Sequence, residues 1–548
     1  MAKDKTSHSR TELAVSPINW LGKLRRKSVL ACVVAIGYCV GILPYNEKLA
    51  FFVPVHGKQL LVSYGLKTLF AVFLYAVIYF VIAFCQQLRL HNGQYRRWLA
   101  YSSVYFAVLI VVLLVLYPGH WVHDEFTILD AVKHYSLSYN WQNYFTNIFY
   151  TFSLYLFPSP ITILVCQVLF ASSVVGYVIM QSQRLLHRKH LAYLLYLPFL
   201  LFPVILNDLY PLRGMMYSYI ELLLICKLLF RMHGLDQAAN PYHELAKFSM
   251  LITLLCFWRS EGMYYLILLP ILVCVLGVFK KRNLRTLRQY GWLVLSGLIL
   301  LAGFAITKAT GSNEYKLTTM VNPLSTMIQQ PLHGSNIPER LSEINQVIKV
   351  SNLREYPSYN EIPAFWNDGI QPGYGAHIQS FEKQYLYLVI HNPRSFWHNR
   401  VTTFLSTNSF NAVPSTSLSM FDLKDYAQIP LAANFLKHNH FVTPFHTNLR
   451  ARMSRFLLCL TPNDRFNALG HALWNALIPM SLLLLVGLAK LIKRQWVWAG
   501  IVALVLVQVP IIFLTAPANY FFYYLPVYMI GYFLAVFVAL MYIDRRRA

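Results

Sequence analysis

Apolar residues along this chain are gathered into about a dozen long blocks, which are separated by short polar or basic stretches. A helix needs about 20 apolar residues to cross the hydrocarbon core of a bilayer, and most of the blocks approach that length. The pattern predicts an all-α polytopic membrane protein with about 11–12 transmembrane helices. The blocks lie roughly at residues 28–44, 59–85, 99–117, 159–181, 191–206, 214–230, 248–258, 263–279, 291–308, 471–489, 497–515 and 521–541.

Basic residues between the blocks predict the orientation of the chain. They end the N-terminal segment 1–27, follow the second and fourth blocks, and form the C-terminal cluster Arg545-Arg546-Arg547. Lys and Arg are concentrated in cytoplasmic loops. A topology that puts every cluster on one side of the membrane therefore places both termini in the cytoplasm.

The short block 248–258 is best paired with the block 263–279. A single crossing over both would carry the basic cluster 280–288 outside and would leave Arg259 and Glu261 inside the membrane. Charged side chains at mid-membrane are costly. We therefore interpret Arg259-Ser260-Glu261-Gly262 as an outer turn in a wet cavity.

The crossings divide the chain into four parts. These are a cytoplasmic segment 1–27, a transmembrane module 28–308 with an outer loop 118–158, an extracytoplasmic domain 309–470, and C-terminal transmembrane helices 471–548. Scattered prolines and short helical patterns predict a mixed, mainly helical extracytoplasmic domain. The outer loop has apolar residues at helical spacing, which predicts an interfacial helix on the outer leaflet. These residues are Phe126, Ile128, Leu129 and Val132.

Composition agrees with this class and argues against others. Hydrophobic residues make up 57% and charged residues 13% of the chain, whereas soluble proteins carry about 25% charged residues. Basic clusters on the predicted cytoplasmic side of the membrane explain the net charge of +25, so we expect no nucleic-acid partner. The 8 cysteines lie almost all in apolar blocks and form no CxxC pair. This indicates small buried hydrophobes rather than a disulfide framework.

The first outer loop carries the strongest candidate for chemistry. His123-Asp124-Glu125-Phe126 follows the exit of a crossing. Two adjacent carboxylates there would provide a general base, or would bind a divalent metal together with His123. The alternative is structural, because acidic residues are favoured in the first turn of a helix.

Four short motifs resemble the GT-C superfamily of membrane glycosyltransferases, in particular a largely uncharacterised bacterial branch. They are His123-Asp124-Glu125-Phe126, Arg259-Ser260-Glu261-Gly262, Pro323-Leu324-Ser325 with Gln329-Gln330, and the segment from Tyr520 to Pro526. The superfamily includes protein O-mannosyltransferases and lipid A aminoarabinose transferases. Its first outer loop carries an acidic catalytic motif, which Asp124 and Glu125 match, and two helices commonly follow, as residues 126–157 would provide. The resemblance implies a GT-C-like bundle in a bacterial inner (plasma) membrane with an extracytoplasmic active site.

The resemblance also implies a sugar donor carried on a polyprenyl phosphate. Such a donor needs cations at the outer leaflet, and Arg213 and Arg259 lie in predicted outer loops. A guanidinium can hold phosphate oxygens in a bidentate manner. The alternative for Arg259 is an ion pair with Glu261. Lys308 and Lys316 are weaker candidates.

Other candidate binding residues have ordinary alternatives. Gln329 and Gln330 would hydrogen-bond an acceptor sugar, or would form a solvated helix face. Tyr520, with neighbouring aromatic residues of the last outer loop, would line a sugar site or belong to an interfacial belt.

Three functions fit these features. The first is transfer of a sugar from a polyprenyl-phosphate donor to an extracytoplasmic glycan, lipid or protein acceptor. The second is transport or flipping of lipid-linked glycans, although the polar residues gather at one membrane face rather than deep in several crossings. The third is polymerisation or ligation of a surface polysaccharide.

Overall fold

A computed structural model describes the fold of most of the chain. The described residues are 17–50, 52–121, 123–137, 144–211, 213–235, 241–269, 271, 314–410, 444–463 and 465–546. The predicted crossing at 291–308, most of that at 263–279, and the candidate Lys308 lie outside them. Within the described residues there is no strand, only two isolated bridges, Ile348–Ile370 and Leu460–Phe466.

Helices account for nearly all the regular structure. In chain order they are α1 Pro17–Gly41, α2 Leu43–Leu49, α3 Lys58–Arg89, α4 Gly93–Val115, α5 His123–Lys133, α6 Tyr144–Leu156, α7 Ile161–Arg184, α8 Phe202–Asp208, α9 Arg213–Met232, α10 Pro241–Trp258, α11 Glu314–Ile328, α12 Ile337–Asn345, α13 Val350–Glu355, α14 Pro363–Trp366, α15 Ile378–His391, α16 Pro393–Thr407, α17 Thr447–Leu458, α18 Ala468–Leu473, α19 Leu477–Ile492, α20 Trp496–Leu506, α21 Gln508–Thr515 and α22 Leu525–Arg546.

Six stretches of the described residues are long and apolar enough to cross a membrane, and a seventh is a bent pair. They confirm the all-α class and are typical of a polytopic membrane protein. The six are Lys58–Arg89, Gly93–Val115, Ile161–Arg184, Ala468–Ile492, Trp496–Thr515 and Leu525–Arg546, and the pair is Arg26–Gly41 with Leu43–Leu49, bent by 41°.

The chain divides into two compact units, at residues 1–96 and 97–548. In the first unit α1 packs along α3. The hydroxyls of Ser28 and Tyr75 lie 2.7 Å apart, and the ammonium group of Lys67 lies 2.9 Å from the carboxylate of Glu47. Most of α3 is apolar and exposed, as expected for a helix that faces lipid.

In the second unit, α4 and α7, the helices before and after the outer loop, cross at very short range. A β-carbon at Gly176 would lie 2.1 Å from Ser102 Oγ and 2.6 Å from Ser102 N, so no larger residue fits there. The indole of Trp98 also donates to the carbonyl of Ser173 at 2.9 Å. The two ends of the outer loop therefore start from one fixed helix pair.

The predicted crossing at 191–206 is not a single helix. A 3-10 helix covers Lys189–Tyr196, a turn follows, and α8 covers Phe202–Asp208. Pro198 and Pro203 explain the break, because proline lacks a backbone donor and disfavours α geometry in the residue before it. The next block is continuous as α9, which carries Glu221 and Lys227 along its length.

The predicted interfacial helix exists but does not lie on lipid. Helix α5 packs against α6, and its apolar residues Phe126, Ile128, Leu129 and Val132 are at most 4% exposed. The prediction of an outer-leaflet surface helix was wrong. The same apolar spacing is also typical of a helix whose apolar face packs against protein.

Residues 314–410, which we call the helical domain, have their own apolar core. Its members come from α11 to α15 and include Leu317, Val321, Leu324, Ile344, Leu353, Phe381 and Leu388. The side chain of Asn322 donates to the carbonyls of Glu361 and Pro517, both at 2.7 Å. The buried guanidinium of Arg400 donates to the carbonyls of Leu514 and Ala516 at 3.3 and 2.9 Å. These bonds fix the helical domain to the end of α21, whose last carbonyls lack helical partners.

Candidate functional site

Helix α6 joins the outer loop to two other predicted outer segments. The hydroxyl of Tyr150 donates to the carbonyl of Pro211 at 2.5 Å. The rings of Phe145 and Phe149 contact the indole of Trp258, with centroids 6.1 and 5.8 Å apart. Pro211 is two residues before Arg213, and Trp258 directly precedes Arg259. Three segments far apart in sequence are therefore brought together.

The carboxylates Asp124 and Glu125, which we call the acidic turn, lie in the first turn of α5. This is the end of the helix where the dipole favours negative charge. Glu125 is fully buried, whereas Asp124 is partly exposed. The two side chains diverge because neighbours on a helix are about 100° apart. Asp124 is therefore the more accessible carboxylate of the two.

The acidic turn acts electrostatically on α6. Burial raises the pKa of Tyr150 well above its ordinary value, and the charges of Glu125 and Asp124 raise that pKa further. This hydroxyl therefore stays protonated and acts as a donor. Within the part of the chain that the structure describes, no group of three or more His, Cys, Asp or Glu is placed to hold a metal. The side chain of His123 lies outside the described atoms.

The second part of the site is a guanidinium cluster, formed by Arg213, Arg259, Glu261, Tyr217 and Tyr523. Arg259 is buried and binds both carboxylate oxygens of Glu261, at 2.6 Å from Nη2 and 3.3 Å from Nε. Its Cζ lies 5.6 Å from the ring centroids of Tyr217 and of Tyr523, a distance at which aromatic faces attract a cation. The ion pair considered for Arg259 and Glu261 is therefore present.

The cations of the cluster determine the charge state of Glu261. Burial alone would raise the pKa of Glu261, but the charges of Arg259 and Arg213 outweigh it and lower that pKa to about 2. Glu261 therefore stays ionised as the partner of Arg259. Arg213, at the start of α9, is partly exposed, so it is the cation that an anion can approach.

The last predicted outer loop completes this cluster. A β-carbon at Gly214 would lie 3.6 Å both from Arg259 Nη1 and from the carbonyl oxygen of Phe522. Tyr520 stacks on Phe522 with ring centroids 5.2 Å apart and meets Tyr523 edge-on at 5.8 Å. Tyr520 is partly exposed. The structure thus brings Arg213, Arg259, Glu261 and Tyr520 into one neighbourhood.

Three other candidates, Gln329, Gln330 and Lys316, make their contacts within the helical domain. The amide of Gln329 donates to the carbonyls of Leu353 and Arg354 at 3.2 and 2.9 Å. Gln330 accepts from the hydroxyl of Ser395 at 3.1 Å. Lys316 pairs with Glu382 at 3.2 Å. These contacts hold helices of the helical domain together and do not reach the guanidinium cluster.

Sequence reasoning missed a second buried carboxylate, Glu221 on α9. It is fully buried and accepts a hydrogen bond from the hydroxyl of Tyr265 at 2.7 Å and a longer one from Tyr264 at 3.4 Å. Tyr217, one turn earlier on α9, contacts Arg259. The sequence feature that could have revealed it is a single Glu within an apolar block. Buried carboxylates are rare without partners, so such a residue predicts a polar contact.

His120, next to the acidic turn in sequence, is a buried neutral histidine. Its backbone N–H donates to the carbonyl of Leu209 at 3.1 Å, and its side chain is 5% exposed. Burial, followed by the charge of Arg450, lowers its pKa from 6.5 to about 3. The unfolded chain therefore binds a proton that the folded chain excludes. The free energy of unfolding is therefore unaffected by this group above pH 6.5, and it decreases as the pH falls from 6.5 toward 3.

We expect this histidine to make the protein acid-sensitive. Near pH 5 the loss from His120 is about 2 kcal/mol, since one pKa unit corresponds to about 1.4 kcal/mol. The midpoint of thermal unfolding in detergent should fall between about pH 7 and pH 5, and His120→Gln should flatten that dependence. His134→Gln, at an exposed histidine, supplies the comparison variant. An equal slope in His120→Gln and the parent protein would contradict the assignment.

No protein-family model, characterised protein or solved structure matches this chain. The similarity to GT-C enzymes therefore remains a resemblance carried by short motifs. What the described residues define is an all-α protein of polytopic membrane character, with an acidic turn and a guanidinium cluster joined through α6.

Proposed function

We propose that the chain is a glycosyltransferase that moves a sugar from a polyprenyl-phosphate donor to an acceptor on the extracytoplasmic side of the membrane. One observation carries the proposal. Helix α6, which packs on the helix of the acidic turn, also binds directly to the two segments that hold Arg213 and Arg259. This arrangement supports a base and an anion site on one scaffold.

The guanidinium cluster fits the phosphate of the donor. Arg213 and Arg259 both lie close enough to Glu261 for their charges to lower its pKa, so the cluster offers two neighbouring guanidiniums. Arg213, the more exposed of the two, would contact phosphate oxygens, and the buried Arg259 would add its field and hold Glu261 in place. Preorganised cations of this kind stabilise the charge that develops on a leaving phosphate. Tyr520, beside the cluster, offers an aromatic face and a hydroxyl to the sugar.

The acidic turn fits the acceptor side of the reaction. An acceptor hydroxyl attacks the anomeric carbon, a new C–O bond forms, and the bond between that carbon and the phosphate oxygen breaks. Polyprenyl phosphate leaves with the electron pair, and the hydroxyl proton passes to the carboxylate of Asp124 acting as general base. The sequence offers Asp124, Glu125 and His123 as ligands of a divalent metal, but the divergence of Asp124 from the buried Glu125 does not fit one ion shared by both carboxylates.

Turnover of a defined donor tests this function. The purified protein in liposomes should cleave the sugar–phosphate bond of at least one member of a panel of polyprenyl-phosphate sugars when acceptor glycolipids are present. Released polyprenyl phosphate, measured by mass spectrometry, should rise with protein concentration. Transbilayer equilibration of the intact donors without cleavage would instead identify a flippase and would overturn the proposal.

A further inference from the structure

One face of α16 exposes two large apolar residues beside the polar residues Arg394 and His398. Trp397 is 49% exposed and Val401 is 43% exposed. They lie four residues apart and therefore share one face of the helix. Arg394, which is exposed, precedes Trp397 by three residues on the same side.

This face adjoins a candidate membrane span. The ring of Trp397 stacks on that of Phe513 with centroids 6.0 Å apart, and Phe404 meets the same ring edge-on at 5.6 Å. Phe513 belongs to α21, at the end of the span Trp496–Thr515. Leu514 on that span is itself 45% exposed. The apolar surface of the span thus continues onto the helical domain.

The position along the span indicates which leaflet is involved. The span starts just after Lys490, Lys493 and Arg494, the type of cluster that stays in the cytoplasm. Its other end, where α16 is attached through Arg400, therefore belongs to the outer leaflet.

We propose that α16 docks the helical domain onto the outer leaflet, with Trp397 and Val401 against acyl chains and Arg394 against lipid phosphates. Tryptophan is enriched at the membrane interface because its ring is apolar and its N–H is polar. Long basic side chains place their charge among the headgroups while their stems lie on apolar surface. A membrane surface therefore matches both the apolar residues and the charge of this face.

Photo-crosslinking to lipid tests the proposal. Benzoylphenylalanine is placed at Val401 in the full chain, which is embedded in nanodiscs of phosphatidylethanolamine and phosphatidylglycerol and irradiated. Leu514 on the span is the positive control, and Ser342, an exposed position of α12, is the negative control. The yield of phospholipid adduct at Val401 should be comparable to that at Leu514 and well above that at Ser342.

Two results would overturn the proposal. One is an adduct yield at Val401 no higher than at Ser342, and the other is a crosslink from Val401 to a second protein chain in place of lipid. A second photo-residue at Trp397, where an aromatic side chain preserves the stack on Phe513, guards against misfolding at Val401. The phosphate contact is tested by Arg394→Gln, which should reduce the share of anionic phosphatidylglycerol among the adducts, whereas an unchanged share would exclude that contact.

Discussion

Replacing Asp124 by Asn should lower the turnover number by about 10²–10⁴-fold, the usual loss when a general base is removed. The substitution keeps the size of the side chain and removes its ability to take the acceptor proton. Because Asp124 is the partly exposed member of the acidic turn, the packing of α5 should be preserved. Rates with a donor from the panel, measured for protein that elutes as the parent does, give the comparison.

Glu125→Gln is the matched control for Asp124→Asn. Glu125 is fully buried and projects about 100° away from Asp124 on the helix, so its replacement should cost less activity. Normal turnover in Asp124→Asn would remove that residue from the mechanism. A large loss in Glu125→Gln alone would move the role one residue along the helix.

The Arg259–Glu261 pair should show strong coupling in stability. Arg259→Gln leaves a carboxylate that is only 11% exposed without its main partner, and Glu261→Gln leaves a buried guanidinium without its counter-ion. Breaking one side of a buried pair typically costs 3–5 kcal/mol, whereas replacing both partners is often nearly neutral. The double variant should therefore be more stable than either single one. The free energies of unfolding in mixed micelles complete the double-mutant cycle.

The exposed pair Lys316–Glu382 supplies the control for this cycle. Its atoms are 3.2 Å apart, but its side chains are 54% and 35% exposed. Exposed pairs contribute about 0–1 kcal/mol, so Lys316→Gln and Glu382→Gln should have small effects that add. Additive effects at Arg259 and Glu261 as well would mean that the buried contact does not stabilise the site.

The membrane character and the local position of the acidic turn could be predicted from the sequence. Long apolar blocks report spans directly, and Asp124-Glu125 before an apolar helical pattern marks a helix start, which the structure places at His123. The environment of α5 could not be predicted in this way. An apolar helical face looks the same in sequence whether it faces lipid or protein, and only the packing against α6 decides between them.

The assembly of the candidate site depends on contacts that local patterns do not encode. Tyr150 meets Pro211, and Phe145 meets Trp258, across long stretches of chain. Gln329 was predicted as a candidate for binding an acceptor sugar. Its side-chain amide instead donates to backbone carbonyls inside the helical domain. The apolar block at 191–206 was predicted as one crossing, but Pro198 and Pro203 divide it into a 3-10 helix and α8.

The crossing of α4 and α7 at Ser102 and Gly176 has a consequence for how such a protein can diversify. Because α4 and α7 contact each other at that crossing, the outer loop begins and ends on one helix pair. Lengthening such a loop costs little conformational entropy, about 0.6 kcal/mol for each doubling of its length. Changes of loop length should therefore be tolerated best where the loop makes no contact with the site, whereas Phe145, Phe149 and Tyr150 of α6 must keep their positions.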